Sequence, residues 1–212
     1  MDLRPHLEST ILTPALTGRQ IDELCKEAKS NNFFGVCVPP FWVKRAKREL
    51  DNSDVKLVTV IGFPYGYQMT ETKMEEARMA IRDGADELDL VMNISAFKDG
   101  MSWPKIEFAK MATFLHDNSK LLKVIIECPL LSNEEIVEAA TQCADAGVDI
   151  VKTSTGTTGI PVTVESISLI RSVLPTHVGI KASGGIKTRK LAIELVNAGA
   201  DRLGTSSALK LL

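Results

Sequence analysis

The chain has 212 residues, 44% of them hydrophobic, enough to bury a substantial core in one domain. Lys and Arg total 25 against 27 Asp and Glu, and the formal net charge of -2 gives no reason to expect nucleic acid or an anionic membrane as partner. The opening MDLRPHLEST is too polar for a signal peptide, and no apolar run approaches the roughly 18 residues of a membrane helix, so a soluble cytoplasmic protein is expected.

Along the chain, short apolar runs alternate with longer amphipathic stretches. The first run is STIL from Ser9, followed by a helix with Thr17 as N-cap and an apolar face of Ile21, Leu24, Cys25 and Ala28. GVCV from Gly35 comes next, then the basic KRAKRE, read as a solvated helix face, and KLVTVIG from Lys56. ELDLVM from Glu87 and LLKVIIE from Leu121 precede a helix opened by the capping box SNEE at Ser132, with Ile136, Ala139, Ala140 and Cys143 on one face. DIVKTS from Asp149, VGIKAS from Val178 and DRLGTSS from Asp201 complete the series. The segments DGADELD, AGVDIVK and AGADRLG repeat one device, a helix end feeding a buried strand.

Eight such runs predict a single (β/α)8 barrel, one domain over residues 1–212. The same alternation permits a doubly wound open sheet, but no GxGxxG opens a helix, which favours the barrel.

In a barrel the chemistry sits at the C-terminal ends of the strands. Those ends would gather Asp89 and Asn93, Lys123 and Glu127, Lys152 with Thr153 and Ser154, and Lys181 with Ser183. Buried charge is costly unless paired, and one buried lysine is readily explained by a salt bridge, the plainer reading for Lys123. Three lysines and two carboxylates on neighbouring strands point instead to a functional polar pocket. Two amines held close together in a water-poor site disfavour each other's protonation, and a neutral lysine attacks a carbonyl to form a Schiff base. Lys152 and Lys181 are the pair so placed.

Glycine-rich turns follow the last two runs, at Gly184 and Gly185 and around Gly204, Ser206 and Ser207. Barrels commonly bind phosphate there, on backbone N–H groups that glycine leaves accessible. A third glycine loop, TSTGTTG, begins beside Lys152. Cys25, Cys37, Cys128 and Cys143 show no metal spacing and read as buried thiols; Cys37 lies on an inward-looking strand and is read first as packing. The histidines form no ligand pattern, so no metal is expected. Met69, Met74, Met79, Met92, Met101 and Met111 read as core filler.

With VKTSTG and KASGGI at its centre, and with GVCVPP, VIGFPYG, GADELDLVMN, LKVIIE and GADRLGTSS in order around them, nearly the whole chain resembles the deoxyribose-phosphate aldolases, class I aldolases of the TIM-barrel type. The resemblance implies that Lys152 is the Schiff-base nucleophile, that Lys181 lowers its pKa, that Asp89 exchanges protons through a bound water, and that Lys123 belongs to the surrounding charge network. It places Gly156, Gly184, Gly185, Gly204, Ser206 and Ser207 on phosphate-contacting loops, with Thr10, Cys37, Asn93 and Thr153 in support. It further implies a sugar-phosphate substrate, a homodimer, and neither metal nor organic cofactor. Departures are Glu8 and Ser9 in place of the family's Asp-His or Asp-Leu, Thr157 in place of an aromatic residue, and an end at Leu212 without the terminal Tyr of some relatives. A phosphate-binding isomerase or epimerase, or a sugar-phosphate sensor, would share the last two loops but has no need of two adjacent lysines.

Overall fold

The computed structural model describes residues 1–212. Eight parallel strands, β1 Leu7–Thr10, β2 Gly35–Val38, β3 Lys56–Ile61, β4 Glu87–Val91, β5 Leu121–Ile125, β6 Ile150–Lys152, β7 Gly179–Ser183 and β8 Arg202–Thr205, pair in sequence order and close β8 onto β1. The expected barrel is therefore formed and the open sheet is excluded. Around it run α1 Gly18–Asn31, α2 Val43–Glu49, α3 Thr70–Asp83, the short α4 Ile94–Lys98, α5 Trp103–Asp117, α6 Asn133–Asp145, α7 Val164–Val173 and α8 Arg189–Asn197. Two helices, α4 and α5, share the β4–β5 connection, and after β8 a 3-10 turn at Ala208–Leu211 stands where a full helix would complete the ring. No helix is long and apolar enough to cross a membrane.

Strand residues alternate in direction, which divides the apolar residues of the strands into two sets. Val36, Val38, Leu57, Leu88, Leu90, Val124, Val151, Ile180 and Leu203 face outward and join the helices in one core cluster of 48 buried residues. Inside the barrel only Cys37, Val58 and Val60 cluster together. The interior thus has an apolar wall from β2 and β3, while β1 and β4 to β7 contribute charge.

The first strand is LEST, two residues earlier than the run STIL suggests. An acidic residue obscures it: Glu8 is fully buried, carried inward by lysines that approach it from β5 and β7. Thr17 and Ser132 begin α1 and α6 as expected, the Ser132 hydroxyl accepting from Glu135 N at 3.3 Å while Glu135 accepts from Ser132 N at 2.7 Å.

The repeated Asp has a common structural use. Asp86, Asp149 and Asp201, each just before an even-numbered strand, accept from the backbone N–H of Leu57, Leu122 and Ile180 at 2.9, 2.8 and 2.8 Å near the start of the preceding strand. These carboxylates satisfy donors at the barrel's N-terminal mouth and so stabilise the end opposite the chemistry. All four cysteines are buried and free of disulfides. Of the methionines, Met92 and Met111 are fully buried, whereas Met69, Met79 and Met101 are exposed on loops and helix surfaces, contrary to their reading as filler.

Candidate active site

Parallel pairing brings residues of like height together, and it places Asp89 beside Lys123, and Lys152 beside Lys181, in register on adjacent strands. Their side chains turn inward and converge. Asp89 Oδ2 accepts from Lys152 Nζ and from Lys181 Nζ, both at 2.8 Å, and Oδ1 accepts from Lys123 Nζ at 3.1 Å. Lys123 Nζ also lies 2.5 Å from Glu87 Oε2 and 3.7 Å from Glu8 Oε1. Lys181 Nζ donates to Glu8 Oε2. The Glu87 contact lies off hydrogen-bonding direction, so it is an ion pair and leaves that oxygen without a donor, as is Glu8 Oε1.

Three carboxylates therefore face three lysines, and of these groups only Lys152 opens on the cavity. Burial by itself would raise the Asp89 carboxyl, but Lys123, Lys152 and Lys181 outweigh it and hold Asp89 well below the usual carboxylate range. Glu8 follows the same pattern more mildly, burial being overcome by Lys123 and Lys181. Burial also works against the charge of Lys123 and Lys181, yet Asp89 and Glu8 hold both ammoniums protonated above the ordinary lysine range.

Only one of the three amines reaches open space. Lys152, with its side chain 3% exposed, lines a cavity of about 390 Å³ at the C-terminal mouth, whereas Lys123, Lys181 and Asp89 are at 0% and lie beneath it without lining it. Lys152 also has no carboxylate of its own, since Asp89 is shared with both neighbours.

The wall of the same cavity includes Thr10, Gly156, Gly184, Gly185, Gly204 and Ser206, all expected there. Two of these positions require glycine. Gly184 has φ +100, and a Cβ would come 2.6 Å from Ser154 Oγ; Gly185 has φ +70, and a Cβ would come 2.7 Å from Pro161 Cβ. Lys187 adds a cation to this wall and was not anticipated, although its place in GGIKT, two residues past the glycines, was a readable signal. Phe63, from the β3–α3 loop, contributes an apolar surface.

Other expected residues lie elsewhere. Cys37 is fully buried against Val58 and Val60 below the cavity, where burial pushes its thiol up to about 11. Asn93 is occupied as the N-cap of α4, accepting from Ala96 N at 3.2 Å and Ser95 Oγ at 2.9 Å. Thr153 falls on the outward side of the chain just past β6 and ties it to β7, exchanging hydrogen bonds of 3.0 Å with Ser183 O and Ser183 N. Ser207 lies beyond the wall, its N–H bonded at 3.0 Å to Thr205 Oγ1 as the chain turns away. Glu127 does not continue the inward row of Lys123. Its backbone leaves the strand with φ 55, and its carboxylate binds Thr155 instead.

Glu8 and Glu87 were missed as members of the network. Glu87 is two residues before Asp89 on one strand, and Glu8 two before Thr10 on another, so the alternation that turns Asp89 and Thr10 inward turns both glutamates inward as well.

The model of the DeoC/LacD family of aldolases matches residues 8–210. A deoxyribose-phosphate aldolase of Brevibacillus brevis is 44% identical over 213 residues, covering 100% of this chain and 96% of the relative. Among solved structures, one described as QR15, an aldolase, superposes with a TM-score of 0.93 at 40% identity, covering 100% of this chain and 94% of the other. The deoxyribose phosphate aldolase of Aeropyrum pernix, described as a unique tetramer, gives 0.92 at 33% identity, with 99% and 88% covered. Likeness at this level, over the strands that build the lysine cluster as well as the loops above it, makes this chain a member of the DeoC/LacD aldolase family.

Proposed function

We propose that this protein is a class I aldolase that reversibly cleaves 2-deoxy-D-ribose 5-phosphate to acetaldehyde and D-glyceraldehyde 3-phosphate, with Lys152 as the Schiff-base lysine. The observation that carries the assignment of Lys152 is its position: of three clustered amines it alone opens on the cavity, while the other two are locked as ammoniums on Asp89 and Glu8.

In the cleavage direction, Lys152 Nζ as a neutral amine attacks the C1 carbonyl; a C–N bond forms and water leaves to give a protonated imine. Two fixed ammoniums, Lys123 and Lys181, hold the same carboxylate, and Lys152 is the amine that opens on the cavity where the substrate carbonyl enters. The imine then draws electrons as the C2–C3 bond breaks and the C3 hydroxyl loses its proton. Asp89, below the cavity beside Lys152, takes up that proton through water and returns it to C2 of the enamine. Hydrolysis of the resulting imine releases acetaldehyde.

Gly156, Gly184, Gly185, Gly204 and Ser206, with Lys187, are the residues we assign to the phosphate: small backbones that let N–H groups approach, one hydroxyl and one cation on a common wall. Thr10, which donates to Glu8 O at 3.0 Å, fixes the adjoining wall. Lys123 is assigned a positioning role, holding Asp89 and Glu87 in place. Cys37, Asn93 and Thr153 support the site by packing, helix capping and strand joining.

We also place the enzyme in the cytoplasm as a homodimer. Exposed Phe41 follows β2 and the stacked Tyr65 and Tyr67 follow β3, apolar surface of the kind that subunit contacts cover. Sedimentation analysis showing a monomer at working concentration would remove that part of the proposal.

The test of mechanism is borohydride reduction in the presence of acetaldehyde, followed by peptide mapping. An ethyl group on Lys152 is expected; folded protein with no modified strand lysine would overturn the Schiff-base reading.

A further inference from the structure

Around Gly156, the loop after β6 carries a chain of hydrogen bonds that ends at the cavity. Thr155 Oγ1 lies 2.5 Å from Glu127 Oε2, and Thr155 N lies 3.2 Å from each oxygen of the same carboxylate. Burial raises the Glu127 carboxyl, while the bonds from Thr155 favour its charged form; an N–H shared between both oxygens is the arrangement expected of an ionised carboxylate, which only accepts. The single hydroxyl hydrogen of Thr155 is therefore committed to Glu127. That leaves Thr155 Oγ1 with two lone pairs, and both are filled: one by Thr157 N at 3.2 Å, the other by the Thr157 hydroxyl at 2.8 Å. Thr157 has then used its only hydrogen, and it presents to the cavity it lines an oxygen that can accept and cannot donate.

We propose that Thr157 is a specificity residue that accepts a hydrogen bond from the substrate hydroxyl lying between the reacting carbon and the phosphate, C4 of the sugar phosphate, and that Glu127 is the positioning residue that sets this polarity. The inference rests on the aldolase reading above.

Two further observations agree with it. Glu127 is 2% exposed and its backbone is held at φ 55, a conformation unfavourable for a side chain with a Cβ, so the surrounding structure keeps it in a strained place where its carboxylate meets Thr155. A phosphate, which at neutral pH chiefly accepts, gains no donor from the Thr157 hydroxyl and meets the Glu127 carboxylate behind it. The Thr157 oxygen is thus matched to a donor hydroxyl, and Lys187 with the glycine N–H groups to an acceptor-rich phosphate, within one cavity.

The experiment compares acetaldehyde addition to D-glyceraldehyde 3-phosphate with addition to 3-phosphooxypropanal, the same acceptor without the hydroxyl. The ratio of the two kcat/KM values should fall about 2- to 10-fold in Thr157→Val, the range of one neutral hydrogen bond, and should be retained in Thr157→Ser. Glu127→Gln, whose amide can donate to Thr155 and reverse the order of hydrogens, should lower the ratio as well, with folding checked by circular dichroism. Equal losses on both acceptors in Thr157→Val, or a ratio in Thr157→Ser as low as in the valine variant, would overturn the proposal. Absence of an acetaldehyde adduct in the unaltered enzyme would instead sink the aldolase reading, so the two failures are separable.

Discussion

Two groups of buried charge occupy this molecule, and they are built differently. Between α3, α5 and the end of β4, Lys73 Nζ donates to Glu107 Oε2 at 2.8 Å and to Val91 O at 3.0 Å, while Thr70 Oγ1 donates to the other Glu107 oxygen at 2.9 Å. Trp103 Nε1 in turn donates to Thr70 at 3.1 Å. One cation meets one anion, and both carboxylate oxygens have donors. Inside the barrel, three ammoniums share Asp89, two of them on one oxygen, and Glu8 Oε1 and Glu87 Oε2 lack hydrogen-bond donors. Burial has opposite outcomes in the two places. It depresses the Lys73 ammonium despite Glu107, but is overcome at Lys123 and Lys181 by Asp89 and Glu8. A closed pair with all its bonds made is a brace; an over-shared carboxylate next to a cavity is a site where protons and electrons can be moved.

The sharpest break in that comparison is Lys152→Ala. Turnover should fall by a factor on the order of 10⁴ or more, and the borohydride-trapped adduct should vanish, with the fold intact by circular dichroism. Residual trapping at Lys181 would mean that the wrong amine has been assigned.

Lys73→Met strikes the brace instead. It strands Glu107 in the interior and should cost about 3–5 kcal/mol in urea unfolding, whereas Lys73→Met with Glu107→Leu should recover much of that loss. The kcat of the double variant should stay within a few-fold of the unaltered enzyme; a large catalytic loss at full stability would show that the brace also tunes the site.

Lys181→Leu removes one of the fixed ammoniums. Turnover should drop by roughly 10²- to 10⁴-fold through lost proton transfer, while the borohydride-trapped adduct on Lys152 still forms. Turnover that stays where it was would argue that Lys181 takes no part in proton transfer.

The mildest effect concerns acid stability. Asp89 and Glu8 titrate lower when folded than when unfolded, so the stability they contribute is complete above their unfolded values, near about 4, and is lost as pH falls from there toward their folded values. The urea midpoint should decline below that pH, and less steeply in Asp89→Asn. Identical slopes would place the acid sensitivity outside the barrel interior.

Much of this arrangement was legible because its signals are local. Strand runs of alternating or continuous aliphatic residues, the glycine turns after β7 and β8, and lysines at strand ends can all be read within a few residues, and alternation along a strand is enough to turn Asp89, Lys123, Lys152 and Lys181 toward one interior. Lys73 left a fainter trace: it lies on the same helical stripe as Thr70, Ala77 and Ala80, all buried, so its burial was written into a 3.6-residue period that its charge disguised. Asn93 and Thr153 were misplaced for a comparable reason. Each sits beside a site residue in sequence, but one is spent capping a helix and the other points to the opposite side of its strand.

The sequence alone determined the barrel, the lysine pair and the glycine loops, since each depends on backbone preference or side-chain alternation over a short span. Tertiary structure decided which charges meet and which amine is reached. Glu8 and Lys181 are 173 residues apart, and their pairing exists only because β8 closes onto β1. The choice of Lys152 over Lys123 and Lys181 likewise depends on where the cavity ends, a property of all eight strand ends together that no single stretch of the chain encodes.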